Sequence, residues 1–157
     1  MTPLPNSWLS RNISEFITEN EDKLLGELTR NSAFAIDPEQ RDAWRTQISI
    51  FKDTITNLDG RILFEQTIPR LGGRIDVVLI IGKKLFVIEC KIGGKSSSSS
   101  ARNQVWDYAL DLKNFHEASH HIEIIPLEFP SQLKQDQVTP TELASDLVWQ
   151  PITVSKQ

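Results

Sequence analysis

The segment RIDVVLIIGKKLFVIECK, residues 74–91, decides the fold. It contains two apolar runs joined by Gly82-Lys83, and strands that are apolar at successive positions are typical of sheets covered by helices on both faces. Glycine at the first central position of a two-residue loop favours a type II′ hairpin turn. We therefore predict an antiparallel hairpin of strands 74–81 and 85–92 within an α/β fold, whose central mixed sheet is flanked by helices.

The predicted turn also fixes which residues of the hairpin face each other. With Gly82 and Lys83 in the turn, Asp76 lies opposite Glu89, and opposed side chains share a face with their Cβ atoms about 4.5–5.5 Å apart. Lys91 points to the same face as Glu89 because strand side chains alternate, and Cys90 points the other way. A three-residue turn would shift this register by one residue. The two-residue turn therefore predicts two carboxylates and one ammonium on one face.

These three side chains suit hydrolysis of a phosphodiester. Two adjacent, partly buried carboxylates repel each other unless a cation compensates them. Mg²⁺ accepts one or two carboxylates and completes its coordination with water and substrate phosphate. Lys91 would then orient the attacking water or offset the negative charge developing on phosphorus. The alternative interpretation is that Glu89 and Lys91 form a plain ion pair and that Asp76 merely begins a strand.

The charge of the chain is unevenly distributed. The whole sequence carries −4 at pH 7, but residues 61–102 hold eight basic and three acidic residues, a net charge of +5, and the remainder carries −9. The three acids are Glu65, Asp76 and Glu89. A locally basic stretch attracts phosphates, and carboxylates inside it suit a site that holds a cation while receiving a polyanion. An uneven but merely solvated face is the alternative.

Further predicted elements surround the hairpin. Asp37 as N-cap, followed by Pro38, begins a helix with one apolar stripe, which Asp59-Gly60 ends. The other predicted elements are a helical stretch over the first thirty residues, helix 38–58, strand 61–67, helix 101–116, strand 121–127, a short helix 139–146 and a last strand 147–154 interrupted by Pro151. We interpret the chain as one domain with a helical N-terminal extension 1–36, a core 37–128 and a C-terminal extension 129–157.

The order and motifs of these elements resemble the PD-(D/E)XK nuclease superfamily. Asp76 matches its motif aspartate and Glu89-Cys90-Lys91 its E-x-K, although Arg74-Ile75 stands where proline often precedes the aspartate. Gln104-Val105-Trp106-Asp107-Tyr108 matches the Q-x-x-x-Y signature of the RecB-like and lambda-exonuclease-like branch. Gln104 and Tyr108 are i,i+4 neighbours on a helix, so both can lean over one site.

The resemblance implies a restriction-endonuclease-like α-β-β-β-α-β core and a metal-dependent nuclease activity. Asp76 and Glu89 would hold Mg²⁺ or Mn²⁺, and Glu65 would be an extra ligand, with a surface glutamate as the alternative. Lys91 would assist the attacking water, and Gln104 and Tyr108 would position the substrate or the lysine. DNA is the expected nucleic acid.

A closer similarity covers residues 20–128. The segments LFEQTIPRLGGRIDVVLIIGKKLFVIECKIGG and QVWDYALDLKNFHEASH look like the N-terminal nuclease-like region of bacterial proteins that continue into a P-loop helicase or ATPase domain. The sequence contains no G-x-x-x-x-G-K-[ST], so any motor is absent from it, and the chain would be a fragment, a stand-alone relative or one subunit of a system. The resemblance therefore implies a helicase or ATPase partner.

The predicted phosphate contacts are Arg74, Lys95 and Arg102. Lys95 and Arg102 flank the serine run 96–100, which we interpret as a flexible surface loop. Three histidines, His116, His120 and His121, lie at a helix end and a strand start, where histidine needs no metal to explain it.

The sequence also indicates where the protein acts. No apolar run approaches the ~20 residues of a membrane span, the first residues contain no signal-peptide apolar region, and Cys90 has no cysteine to pair with. We expect a cytoplasmic protein without a membrane partner. Two hypotheses stand beside the nuclease: an inactive nuclease-like module that binds nucleic acid or docks a helicase, and a protein-interaction domain.

Overall fold

A six-stranded mixed sheet forms the centre of the computed structural model, which describes residues 7–32, 35–68, 72–115, 121–134 and 146–155. In chain order the elements are β1 (Leu9–Asn12), α1 (Ile13–Thr18), α2 (Glu21–Asn31), α3 (Pro38–Thr54), β2 (Arg61–Thr67), β3 (Arg74–Ile81), β4 (Lys84–Lys91), α4 (Ser99–Phe115), β5 (Glu123–Pro130) and β6 (Ile152–Thr153). The strands lie in the order of the chain. Strands β1 to β4 pair antiparallel, whereas β4–β5 and β5–β6 pair parallel.

The β3–β4 hairpin has the predicted register. Val77 pairs with Ile88 and Ile81 with Lys84, so the turn has two residues. Gly82 has φ +59°, whereas Lys83 has a negative φ, which is the type II′ geometry. Asp76 and Glu89 follow the Val77–Ile88 pair at the end of the hairpin away from the turn. The hairpin therefore confirms the predicted opposition of the two carboxylates.

Helices cover both faces of the sheet, as the doubly apolar strands predicted. One core contains Phe64, Val77 and Ile88 of the sheet and side chains of α1, α2 and α3 such as Trp44. The other contains Leu63, Val78, Val87 and side chains of α4 such as Val105. Neighbouring residues of one strand thus enter different cores, so both faces of β3 and β4 are fixed by packing. The α/β fold class is confirmed.

The N-terminal stretch is not helical throughout. Residues Leu9–Asn12 form β1, which pairs with β2, and Trp8 N–H donates to the Phe64 carbonyl at 3.1 Å. The prediction of a helical start is wrong here because four residues are too few to show an alternating pattern. The pairing depends on contacts with a strand about fifty positions away, which no local pattern contains.

Several boundaries differ by a few residues from the predicted ones. Helix α3 ends at Thr54, because Ile55 is its C-cap, and not at Leu58. A Cβ on Gly60 would lie 2.1 Å from the Ile80 carbonyl oxygen, so a glycine is needed where the chain enters β2.

The C-terminal predictions have mixed outcomes. Strand β5 lies at Glu123–Pro130, later than the predicted 121–127. The last strand is confirmed in part, as β6 and an isolated bridge between Val148 and Ile124. The predicted helix 139–146 lies, except for Asp146, outside the described residues. Within the described ranges, no helix combines the length and apolar character required to cross a bilayer.

Candidate active site

The end of the β3–β4 hairpin brings Asp76, Glu89 and Lys91 together. Asp76 Oδ2 accepts a hydrogen bond from the Cys90 backbone N–H at 2.8 Å. The carboxyl groups of Asp76 and Glu89 lie within hydrogen-bonding reach of each other. Lys91 Nζ lies 3.3 Å from Glu89 Oε1, and its side chain is 47% exposed whereas that of Glu89 is 8% exposed. The Glu89 carboxyl is therefore buried and Asp76 is half-buried, whereas the Lys91 ammonium beside them is exposed to solvent.

Burial makes two negative charges costly at this position. The pKa of Asp76 is raised well above its ordinary value, mainly by burial and next by repulsion from Glu89. The hydrogen bond from the Cys90 N–H lowers the pKa of Asp76 and so offsets part of this rise. Burial also raises the pKa of Glu89, and Lys91 opposes that rise. Either protonation of one carboxyl group or binding of a cation removes the repulsion between the two groups.

Glu65 lies beside this pair and is held by two donors. Its backbone has φ +54°, which is uncommon for a residue other than glycine and strained within a strand. Glu65 Oε1 accepts from Trp44 Nε1 at 3.0 Å, and Oε2 accepts from Arg74 Nε at 3.1 Å. The side chain is buried, so the interpretation of Glu65 as a surface glutamate is wrong. Both of its oxygens are engaged.

Arg74, a predicted phosphate contact, is turned towards the protein. Besides its ion pair with Glu65, its guanidinium lies 4.5 Å from the ring centroid of Trp8. An arginine that pairs with a buried carboxylate and stacks on an indole is fixed in place. The contacts of Arg74 therefore hold Glu65 and the start of β3.

Gln104 and Tyr108 contact each other, as the i,i+4 spacing predicted. Gln104 Nε2 donates to Tyr108 Oη at 2.7 Å. A Cβ on Gly73 would lie 3.0 Å from Tyr108 Oη, so the phenol lies against the backbone that enters β3. Among the described residues, neither side chain hydrogen-bonds to Asp76, Glu89 or Lys91. The pair thus borders the start of the strand that carries Asp76.

The serine run has more structure than the sequence predicted. Ser98 is the N-cap of α4, because its Oγ accepts from the Ala101 N–H at 3.3 Å. Arg102 donates from Nη1 to Ser97 Oγ. Lys95 is exposed at the other end of the run. The two predicted phosphate contacts therefore flank a loop that is anchored at Ser98.

Glu128 is a site-bordering residue that the sequence analysis missed. It is fully buried on β5, in register with Glu89 on the parallel strand β4. Its Oε2 accepts from the Ser98 N–H at 2.8 Å and its Oε1 from Thr153 Oγ1 at 3.0 Å. A charged residue within the apolar strand IEIIPLEF was the available signal. Its partner became visible only with the parallel register, which sequence spacing does not determine.

The donor set fits a hard cation held by two carboxylates. Within the described part of the chain, no group of three or more histidine, cysteine, aspartate or glutamate side chains is arranged to hold a metal ion. Of the three histidines, His121 is exposed, and His116 and His120 lie outside the described residues. Mg²⁺ and Mn²⁺ accept few protein oxygens and complete their coordination with water and phosphate. The half-buried Asp76 and the buried Glu89 are the two carboxylates that the site could offer such an ion.

Comparisons with known proteins found little. No family model and no curated protein matches the chain. Among solved structures, the chain is similar to the crystal structure of protein VC1899 from Vibrio cholerae, with a TM-score of 0.32 and 17% identity over 68% of this chain and 33% of that chain. The chain therefore spans about a third of the length of that protein.

We expect Asp76→Asn to stabilise the metal-free protein at neutral pH. The amide can still accept from the Cys90 N–H and carries no charge to repel Glu89. The pKa of Asp76 is higher in the folded than in the unfolded protein, so Asp76 lowers the free energy of unfolding increasingly as the pH rises above about 4. Below about pH 4 the aspartate is protonated in both states, and this destabilisation is absent. Thermal unfolding in EDTA should give Asp76→Asn a higher Tm than wild type at pH 7 and an equal Tm at pH 3.5.

The exposed Asp107 on α4 provides the matched control. Asp107→Asn should leave Tm unchanged at both pH values. A Tm of Asp76→Asn at or below that of wild type at pH 7 would show that the pair is not destabilised by its charge.

We expect Glu128→Ala to destabilise the fold by about 2–4 kcal/mol, because it removes the buried acceptor of two hydrogen bonds, which the Ser98 N–H and the Thr153 hydroxyl donate. Glu123→Ala on the same strand, whose carboxylate pairs with the exposed Lys84 at 3.6 Å, should cost less than about 1 kcal/mol. Urea unfolding of both variants measures the difference. Equal losses in the free energy of unfolding would show that the hydrogen bonds of Glu128 do not stabilise the fold.

Proposed function

We propose that this chain is a metal-dependent nuclease that hydrolyses phosphodiester bonds in DNA. The observation that carries the proposal is the contact between the half-buried Asp76 and the buried Glu89, with the Lys91 ammonium 3.3 Å from Glu89. Folding alone gains nothing from forcing two carboxyl groups together, since an apolar pair there would avoid the desolvation cost. A site that binds a cation has a chemical use for that arrangement.

Each residue has a role in this proposal. Asp76 and Glu89 would hold Mg²⁺ or Mn²⁺, which when bound supplies Lewis-acid activation of the phosphodiester and of water. Lys91, half exposed and fixed through Glu89, would orient the attacking water or stabilise negative charge at the phosphorus. The Lys91 carbonyl accepts from the Gly94 and Ser131 N–H groups, so the strand end that carries the lysine is held in place.

The surrounding residues would act on the substrate. Gln104 and Tyr108 would position a phosphate at the entry to β3, and Lys95 and Arg102 would contact the DNA backbone. Glu65 would join the ligands only by giving up its bonds to Trp44 and Arg74. The proposed partner is a helicase or ATPase domain or subunit, and the proposed compartment is the cytoplasm.

A second candidate is an inactive nuclease-like module that binds nucleic acid or docks such a motor. The observation that favours it is the lack of a three-ligand group among the described residues, together with the engagement of both Glu65 oxygens. An active enzyme would have to complete its coordination from water and substrate.

Calorimetry with Mn²⁺ tests metal binding. We expect wild type to bind the ion and Asp76→Ala and Glu89→Ala to lose the site, because each variant removes one of two protein ligands. Glu123→Ala, which removes a carboxylate elsewhere in the sheet, should bind as wild type does. Equal binding by all four proteins would exclude Asp76 and Glu89 as ligands.

Cleavage and DNA affinity measured on the same variants test catalysis. Lys91→Ala should lower the cleavage rate about 100-fold or more and leave metal and DNA affinity nearly unchanged, because transition-state contacts affect rate more than ground-state binding. Lys95→Ala and Arg102→Ala should instead weaken DNA association and lower its salt dependence by about one phosphate contact each.

Linear, circular and single-stranded DNA should be incubated with Mg²⁺, Mn²⁺ or EDTA. Wild-type activity in Lys91→Ala would remove Lys91 from the reaction. Absence of cleavage by wild type on every substrate with either metal would make the inactive binding module the better proposal.

A further inference from the structure

A second basic feature lies between α2 and α3, outside the candidate active site. The two helices enclose an open cleft of about 420 Å³. Its charged lining consists of Arg30 and Asp22 from α2 and Arg41 and Arg45 from α3. We call this feature the arginine cleft. Its volume lies within the range of ligand sites, about 300–1,000 Å³, and is large enough for a phosphate with its adjoining sugars.

The arginine cleft carries an excess of positive charge. Arg45 pairs with Asp22 at 2.8 Å. Within the described residues, no carboxylate pairs with Arg30 or Arg41, and both side chains are exposed. Guanidinium groups that line one cleft without acidic partners repel each other, and an anion between them removes that repulsion. The cleft therefore has the charge of an anion site.

Gly26 of α2 also lines the arginine cleft. A glycine inside a helix costs about 1 kcal/mol relative to alanine, so its presence in α2 is unfavourable for the helix alone. A Cβ at Gly26 would lie 3.5 Å from Arg30 Nη1, so the Arg30 guanidinium lies over the helix surface at Gly26.

The chemistry of the lining suits a phosphate group. All cations that line the cleft are arginines. The planar guanidinium donates two parallel hydrogen bonds to phosphate, whereas lysine acts as a point charge. We propose that the arginine cleft binds a backbone phosphate of a nucleic-acid strand. This inference rests on the proposed function for the identity of the polymer.

Helix α3 joins the arginine cleft to the candidate active site. Arg41 and Arg45 line the cleft, and Trp44 points into the core, where its Nε1 donates to Glu65 at 3.0 Å. One helix therefore lines the cleft and also contacts Glu65, which lies beside Asp76. A nucleic-acid strand bound in the cleft would give a nuclease a substrate contact outside the reacting phosphate.

Anisotropy of a short fluorescein-labelled DNA duplex in EDTA tests the cleft without cleavage. Arg30→Gln/Arg41→Gln should bind roughly tenfold more weakly at low salt, because it loses charge-assisted hydrogen bonds. Its log–log salt dependence should be shallower by about 0.9 for each phosphate that the variant no longer neutralises. Both side chains are exposed, so the Tm of the double variant should equal that of wild type. If its Tm is lower, the binding measurement is made on Arg30→Gln and Arg41→Gln separately.

The matched control removes two lysines outside the cleft. Lys84 lies on β4 and pairs with Glu123 at 3.6 Å, and Lys134 is exposed after β5. Lys84→Gln/Lys134→Gln has the same change in net charge and should bind DNA as wild type does. An equal loss in this control, or no loss in the arginine variant, overturns the inference, as does a wild type that binds no DNA.

Competition and cleavage separate the remaining outcomes. A poly-glutamate peptide of the same charge as the duplex should displace DNA poorly; equal displacement would overturn the phosphate assignment in favour of an acidic protein segment. Cleavage with Mg²⁺ is measured separately at saturating DNA, where the arginine variant should keep its rate. DNA binding that depends on the arginines, without cleavage by wild type, would support the cleft inference and contradict the proposed nuclease. Cleavage by wild type, with equal DNA binding by wild type and the arginine variant, would support the nuclease and contradict the cleft inference.

Discussion

The register of the β3–β4 hairpin is the constraint on which the site depends. A slip of one residue would turn every side chain of one strand to the other face. Here Val77 and Ile88 enter one core, and Val78 and Val87 enter the other, so a slip would disrupt both. Packing on two sides therefore holds Asp76 against Glu89, although the two carboxyl groups repel each other.

The strain of the site is distributed over neighbouring strands. Glu65 has an unfavourable positive φ, and its side chain is retained by Trp44 and Arg74. Glu128 is fully buried, and its two oxygens accept hydrogen bonds from the Ser98 N–H and the Thr153 hydroxyl. Unlike these two, Asp76 receives one backbone donor and a repelling neighbour. Backbone strain and uncompensated charge are typical of functional positions, where a ligand supplies what folding leaves unsatisfied.

Sequence reasoning succeeded where the determining contacts are local. The turn residues and the alternation of two adjacent strands define the hairpin register, and the cap at Asp37 defines the start of α3. It failed where the partner is distant in the chain: β1 pairs with β2, Glu128 accepts from Ser98, and neither contact leaves a periodic pattern. Arg74 shows a further limit, because composition marked it as a basic residue for phosphate while the fold turned it onto Glu65 and Trp8.

The net charge of a sequence stretch does not predict the charge of the surface that it forms, because contacts with distant residues decide which charges are paired. The arginine cleft is an example. Residues 21–45 contain more acidic than basic residues. Yet Glu27, together with Glu19, is bound by Arg11 at 2.7 Å, and these ion pairs raise the pKa of the Arg11 guanidinium. Glu27 is therefore paired beside β1, whereas no carboxylate pairs with Arg30 or Arg41 among the described residues. A stretch with an acidic average therefore presents a basic concavity, because pairing within the fold selects which charges remain available to a ligand.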